Sequence, residues 1–200
     1  MIVPALVLSG GASTRMGSPK ALLRLGDRTF LARIVDTLLE AGVPEVIVVT
    51  GPHHDAIAAE AEGWPPSWPV RLVRNDTLGA DQASSMRAGL ALVDRPGVDG
   101  LIVALVDHPL VAADTVARLL AAFADGHPPV ARPRVRGRHG HPVVFGREAF
   151  DALRTPSPDG AKSVLRRFAT RQRSVDVEDE GVVLDIDTPE EYARLRARVE

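Results

Sequence analysis

The stretch Ser9-Gly10-Gly11-Ala12-Ser13-Thr14-Arg15-Met16-Gly17-Ser18-Pro19-Lys20 joins small residues to one arginine and a terminal lysine. Small side chains let a backbone come close to a ligand. Successive N–H groups in such a turn form a concave anion site, and Arg15 and Lys20 supply the charge that a phosphate chain needs. Val3 to Leu8, an apolar run, precedes it. The pattern predicts a buried strand that empties into a nucleoside triphosphate cradle. A glycine-rich turn used only for packing would leave the two cations without a purpose. Spacing excludes two commoner cradles. Five residues separate Gly11 from Gly17 and Ser18 follows, whereas a P-loop has four and then Lys. Gly10-Gly11-Ala12 does not supply the GxGxxG of a dinucleotide site.

Carboxylates stand where such a cradle could use them. Asp107 follows Gly100 to Val106, the most apolar run of the chain. Ligands of open α/β sheets bind at the carboxyl ends of strands, and Mg²⁺ takes one or two carboxylates plus phosphate oxygens and waters. Asp107 therefore reads as a metal ligand or, more plainly, as the cap of the Asp107-His108-Pro109 turn. Asp185 and Asp187, two apart, point the same way in extended chain. Either is a second ligand or a partner of the following helix dipole. Asn75, Gly79, Gln82, Ser84 and Ser85 offer donors and acceptors for base, ribose or phosphate, against ordinary helix capping by Asp81 and a serine. Arg132, Arg134, Arg136 and Arg138 recur at every second position. On a strand they share a face, either for a phosphorylated acceptor or as a solvated edge. His53, His54, His108 and His127 show no metal-ligand spacing.

Three stretches resemble known families. The first loop resembles the L-x-G-G-x-S-x-R-M-G-x-x-K signature of the nucleotidylyltransferase superfamily. Gly137 to Phe145 (GRHGHPVVF) resembles the G-x-x-G-H-P-V-x-F stretch of the molybdenum cofactor nucleotidylyltransferases, and Asp185 to Glu191 (DIDTPEE) resembles their D-x-D-T-P-E-D ending. The resemblance implies transfer of a nucleoside monophosphate from an NTP to the phosphate of a molybdopterin-type cofactor, with release of pyrophosphate and use of Mg²⁺. It implies catalytic roles for Arg15, Lys20 and Asp107. Nucleotide contacts fall to Leu8, Ser9, Gly10, Gly11, Ser13, Arg15, Lys20, Asn75, Gly79, Gln82, Ser84 and Ser85. Metal ligation falls to Asp107 and Asp187, with Asp185 as the alternative second ligand. His141, Pro142 and Lys162 would face the acceptor. Asp159-Gly160-Ala161-Lys162 carries Lys where the group has Arg, which keeps the charge and loses the bidentate fork. Leu8-Ser9-Gly10-Gly11 is nearer the guanylyl-transferring L-A-G-G than the cytidylyl-transferring L-A-A-G, while the C-terminal stretches resemble the cytidylyl group. CTP is favoured and GTP stays open. A recipient molybdoenzyme would be a further partner. Rival readings are transfer to another phosphorylated metabolite (a sugar phosphate, methylerythritol phosphate or phospholactate) and a non-catalytic nucleotide-binding cofactor chaperone.

The elements that must position these groups alternate. Apolar runs at Val3–Leu8, Glu45–Thr50, Val70–Val73 and Gly100–Val106 are separated by helical patterns, which implies βαβ units. Thr29 would cap the first helix and Asp114 one near 116–123. A helix is expected over 79–93. After Gly126 the rhythm changes to short strands at 130–135, 142–145, 174–177 and 182–184. The expectation is one α/β domain over 1–200. It is a Rossmann-like, doubly wound, mostly parallel sheet of the nucleotide-diphospho-sugar transferase type. A nucleotide-binding half covers about 1–126, and a small acceptor-side lobe covers about 127–200. The 200 residues carry net charge −2, 45% hydrophobic residues and no cysteine. Nothing there points to nucleic acid or membrane, a thiolate site is excluded, and a cytoplasmic protein without a signal peptide is expected.

Overall fold

β-branched and aliphatic runs without polar alternation build the centre of the sheet. The computed structural model describes residues 1–11, 17–77, 81–157 and 159–199. In chain order the elements are β1 (Ala5–Ser9), β2 (Arg24–Leu25), β3 (Arg28–Thr29), α1 (Phe30–Glu40), β4 (Val46–Thr50), α2 (His54–Ala61) and β5 (Val70–Arg74). They continue with α3 (Gln82–Val93), β6 (Gly100–Leu105), α4 (Ala113–Ala124), β7 (Val130–Val135), β8 (Arg138–His139) and β9 (Val143–Gly146). The last are α5 (Phe150–Arg154), α6 (Ala161–Arg167), β10 (Arg173–Asp176) and α7 (Pro189–Val199). Among the described residues the main sheet runs β10-β7-β9-β6-β1-β4-β5, with β8 on β7. β1 pairs in parallel with β4 and β6, while β9 lies antiparallel between β6 and β7. The expected α/β, mostly parallel architecture is the one observed.

Burial on both faces explains why β1, β4 and β6 read as continuous apolar runs. Val7, Val48, Ile102 and Ala104 pack under α1 and α4. Leu6, Ile47, Val49, Leu101 and Val103 pack under α3, α5 and α6. Trp64 and Trp68 lie 5.7 Å apart against the first cluster. The helices start where capping residues allow. Thr29 accepts from the Ala32 N–H at 3.2 Å. Asp81 and Ser84 form a reciprocal capping box. Thr188 and Glu191 do the same for α7.

Four local expectations are corrected. Residues 182–184 are not a strand, because Asp179 accepts from the Gly181 N–H at 2.9 Å and curls Glu180–Val182 into a 3-10 turn. Asp114 does not cap α4. Asp179 does so from 67 and 64 residues away, accepting from the Ala112 N–H (2.9 Å) and the Thr115 hydroxyl (2.8 Å). The helix expected over 79–93 begins at Gln82, after its capping Asp81. The four arginines do not share one face: Arg132 and Arg134 do on β7, and Arg136 then turns the chain at φ 48°.

Candidate active site

The C-terminal ends of β1, β4 and β6 open into a cleft of about 270 Å³. Leu8, Ser9, Gly10, Gly11, Lys20, Gln82, Ser85, Asp107 and Asp187 line it. This is the end of an open sheet at which α/β proteins place ligands. Arg15, Ser13 and Gly79, expected at the same place, lie outside the described residues.

Its floor is backbone packed without room for side chains. A Cβ on Gly10 would stand 2.7 Å from Ser85 Oγ, and one on Gly51 would stand 2.6 Å from the Gly10 carbonyl oxygen. Real Cβ atoms essentially never show contacts that short, so Gly51, whose neighbour is backbone, needs glycine, whereas at Gly10 the Ser85 hydroxyl would have to turn aside. A Cβ on Gly11 would meet nothing within 4 Å. Asn75 holds this floor from behind. Its amide donates to Ser84 Oγ (3.0 Å) and Ser85 Oγ (3.1 Å), and its carbonyl accepts from the Thr77 N–H at 3.2 Å. Ser84 itself serves the α3 cap, and neither it nor Asn75 lines the cleft. Gln82 and Ser85, at the start of α3, do.

The two carboxylates reach the cleft by different routes. Asp107 is carried by β6, whose core positions are almost wholly buried. Asp187 follows Ile186, which is 1% exposed and packs with Leu25, Phe30 and Leu195. The Ile186 N–H donates to the Asp107 carbonyl at 3.0 Å, so one backbone bond ties the two segments together. The Asp187 N–H donates to Glu191 Oε2 at 2.8 Å. Asp185 is exposed and does not line the cleft. Lys20 enters on a single 3-10 turn after Pro19. Its ammonium pairs with Asp187 Oδ1 and lies 4.0 Å from Asp107 Oδ2.

Asp107 is the strained member electrostatically. Burial pushes its carboxyl above the ordinary value, against the lowering pull of His108 and Lys20, while Asp187 adds to the rise. Oδ1 is buried with no hydrogen-bond partner among the described residues. An orphaned carboxylate oxygen next to a second carboxylate is the donor set a hard divalent cation takes when phosphate oxygens and water complete its shell. No cluster of three or more His, Cys, Asp or Glu occurs among the described residues, so the protein alone would leave most of the shell to substrate.

The residues expected on the acceptor side lie elsewhere. His141 and Pro142 line a separate, narrow cavity of about 20 Å³ with His108, between α1 and β6. The His141 and His108 rings are 5.1 Å apart, and His108 in turn borders Asp107, with Nε2 3.9 Å from Oδ1. Burial holds the His141 imidazole down at about 3, helped by the charges of His108 and Arg132. The imidazole is therefore neutral, and Nδ1 is unbonded. Lys162 is exposed on α6. Asp81 and His53 line the cleft without having been singled out as ligand contacts. Asp81 was legible only as a cap. His53 had no spacing to mark it, since α2 brings it in from the end of β4.

Comparison with known proteins gives the family of the chain. Residues 5–175 match the MobA-like NTP transferase domain. The chain is 34% identical over 202 residues to a nicotine blue oxidoreductase of Paenarthrobacter nicotinovorans, covering 96% of each chain. It is 36% identical over 145 residues to the bifunctional protein GlmU of Azorhizobium caulinodans, and spans 31% of that longer protein. Among solved structures, Rv0371c of Mycobacterium tuberculosis superposes with a TM-score of 0.83 at 29% identity, covering 98% of this chain and 99% of that one. The same protein has been solved in complex with manganese.

Proposed function

The chain belongs to the MobA-like NTP transferase family, and from that premise we propose that it transfers a nucleoside monophosphate from CTP, or from GTP, to the phosphate of a molybdopterin-type cofactor. The observation that carries this reading is the convergence of Asp107, Asp187 and Lys20 on one cleft beside the Gly10–Gly11 backbone.

An oxygen of the acceptor phosphate attacks the α-phosphorus of the NTP in line. The bond between the α-phosphorus and the bridging oxygen breaks, and pyrophosphate leaves with that electron pair. No protein nucleophile is needed, so the work is positioning and charge neutralisation. The close Gly10–Gly51 backbone lets the triphosphate lie against main-chain amides. Asp107 and Asp187 would hold a divalent cation, Mg²⁺ or Mn²⁺, which when bound supplies positive charge to phosphate oxygens. Manganese in the Rv0371c complex supports a divalent ion. Lys20 neutralises both carboxylates and would turn to the phosphates once nucleotide is present. Arg15 is assigned to the leaving pyrophosphate from its place in the loop signature.

The test is pyrophosphate release with each NTP, Mg²⁺ or Mn²⁺, and a panel of acceptors: molybdopterin, its molybdate-loaded form, a sugar phosphate, methylerythritol phosphate and phospholactate. Release with CTP and a molybdopterin form supports the proposal. Release only with another acceptor moves the substrate within the family. NTP binding without release under any acceptor would mark a nucleotide-binding chaperone. The name of the Paenarthrobacter relative adds one control, oxidation or reduction of nicotine blue by the chain, which the proposal expects to be absent.

A further inference from the structure

β7 carries two arginines on one face, and they end in opposite situations. Arg134 is committed to Asp176 through two bonds of 2.7 and 2.9 Å. Arg136, in the turn beyond, pairs with Glu180 at 2.8 Å. Arg132 is only partly exposed, and no carboxylate pairs with it among the described residues. Its Nε is buried and unbonded. Its titratable neighbours are His139 and His141, both imidazoles held toward the neutral form by burial and by the charge of Arg132 itself. His139 is already engaged, with Nε2 2.8 Å from Ser174 Oγ.

A guanidinium withdrawn from water is costly unless a partner replaces the water. This chain answers that cost elsewhere, as Arg134, Arg147 and Arg171 each meet a carboxylate. At Arg132 the surrounding side chains supply only neutral imidazoles. The position also matters. β9 separates β7 from β6, and two strand spacings amount to roughly 10 Å. Arg132 therefore sits about that far across the sheet from the strand that ends in Asp107.

We propose that Arg132 is a specificity residue of the acceptor side, binding a second oxyanion of the acceptor some way from the phosphate that attacks. The proposal rests on the nucleotidyl-transfer reading for its substrate, and on the unpartnered guanidinium for its site. A planar fork of N–H donors suits carboxylate or phosphate oxygens bidentately. The neighbouring imidazoles, kept neutral, do not compete for the anion.

The test uses the intact chain. The Arg132 Nε–Hε resonance is assigned by its loss in Arg132→Lys and followed while inorganic phosphate, acetate or sodium chloride is added at matched ionic strength. A saturable shift with phosphate alone identifies a second phosphate as the partner, and one with acetate identifies a carboxylate. A shift that chloride reproduces, or none, overturns the proposal. On whichever acceptor supports pyrophosphate release, Arg132→Gln is expected to raise the acceptor KM about tenfold or more and leave the NTP KM unchanged. Arg134→Gln should move neither. An unchanged acceptor KM, or an equal rise in both KM values, contradicts it. If no acceptor supports release, the transfer reading fails, while the resonance experiment still decides whether Arg132 is an oxyanion site.

Discussion

The Gly10–Gly51 side of the cleft and the band from Asp107 to β7 use polar atoms in opposite ways. Around Gly10 and Gly51 the polar side chains of Asn75 and Ser84 are answered among the described residues. Asn75 serves Ser84, Ser85 and Thr77, and Ser84 closes the α3 cap. From Asp107 across to β7 the balance reverses. Asp107 Oδ1, His141 Nδ1 and Arg132 Nε are buried and unbonded. Arg33 Nε and Trp64 Nε1 share that condition away from this band. A satisfied network is rigid and suits a ligand portion common to a whole family. Unsatisfied groups cost stability and persist where something else completes them. Under the proposed function, the answered atoms around Gly10 would present the triphosphate, and the unbonded atoms from Asp107 to β7 would be completed by ions and acceptor.

The sharpest way to break this contrast is Asp107→Asn. We expect pyrophosphate release to fall about a thousandfold or more, with the thermal midpoint rising at pH 7. The sign follows from burial. A carboxyl pushed above its ordinary value binds its proton more tightly in the folded chain, so its charged form opposes folding above that value. Calorimetry and a release assay on the same sample check both halves. A lower midpoint would show that Asp107 serves the fold.

A smaller effect separates two neighbouring glycine positions. Gly51→Ala puts a Cβ 2.6 Å from the Gly10 carbonyl oxygen, and that neighbour is backbone. The loop must shift, and nucleotide affinity should drop about tenfold or more, since misplacement by about an ångström is that costly. Gly10→Ala, whose Cβ would meet only the rotatable Ser85 side chain at 2.7 Å, should lower affinity less. Titration calorimetry with CTP distinguishes them, and equal affinities would remove the claim of a preformed cradle.

Smallest is a pH effect on the other side. His141 titrates at about 3 in the folded chain against an ordinary 6.5. Between those values the unfolded chain binds more protons. The stability that His141 contributes is therefore whole above about pH 6.5 and declines as pH falls toward 3, by up to ~1.4 kcal/mol per pH unit. Denaturant midpoints from pH 7 to 4 should fall less steeply for His141→Phe than for the parent chain. Parallel curves would mean that the imidazole is not held neutral.

These contrasts also explain what could be read from the chain in advance. Continuous apolar runs announced β1, β4 and β6, because strands buried on both faces carry no polar alternation. Glycine spacing pointed to Gly10, Gly11 and Lys20 together, and all three line the cleft. The Thr188–Glu191 box announced α7 and so placed Asp187 at a helix start. What escaped depended on distant partners. Asp179 caps α4 across 67 residues, which no local window contains. The alternation of Arg132, Arg134, Arg136 and Arg138 suggested one cationic face, and only the turn at Arg136 and the β10 carboxylate at Asp176 separate the four. His141 carried an acceptor expectation from its motif, and the fold sets its ring behind Asp107 against His108. The described residues neither bring Lys162 to the cleft nor include Arg15, so their roles stay with the proposal.

The central claim is that one cleft holds a nucleoside triphosphate between the Gly10–Gly11 backbone and a divalent ion on Asp107 and Asp187. A crystal of the chain soaked with Mn²⁺ and a CTP analogue blocked at the α–β bridge tests it directly through the manganese anomalous signal. The account predicts a peak within bonding distance of both carboxylates and of a phosphate oxygen, with the triphosphate lying along Gly10. Manganese held away from Asp107, or a nucleotide seated elsewhere, would contradict it.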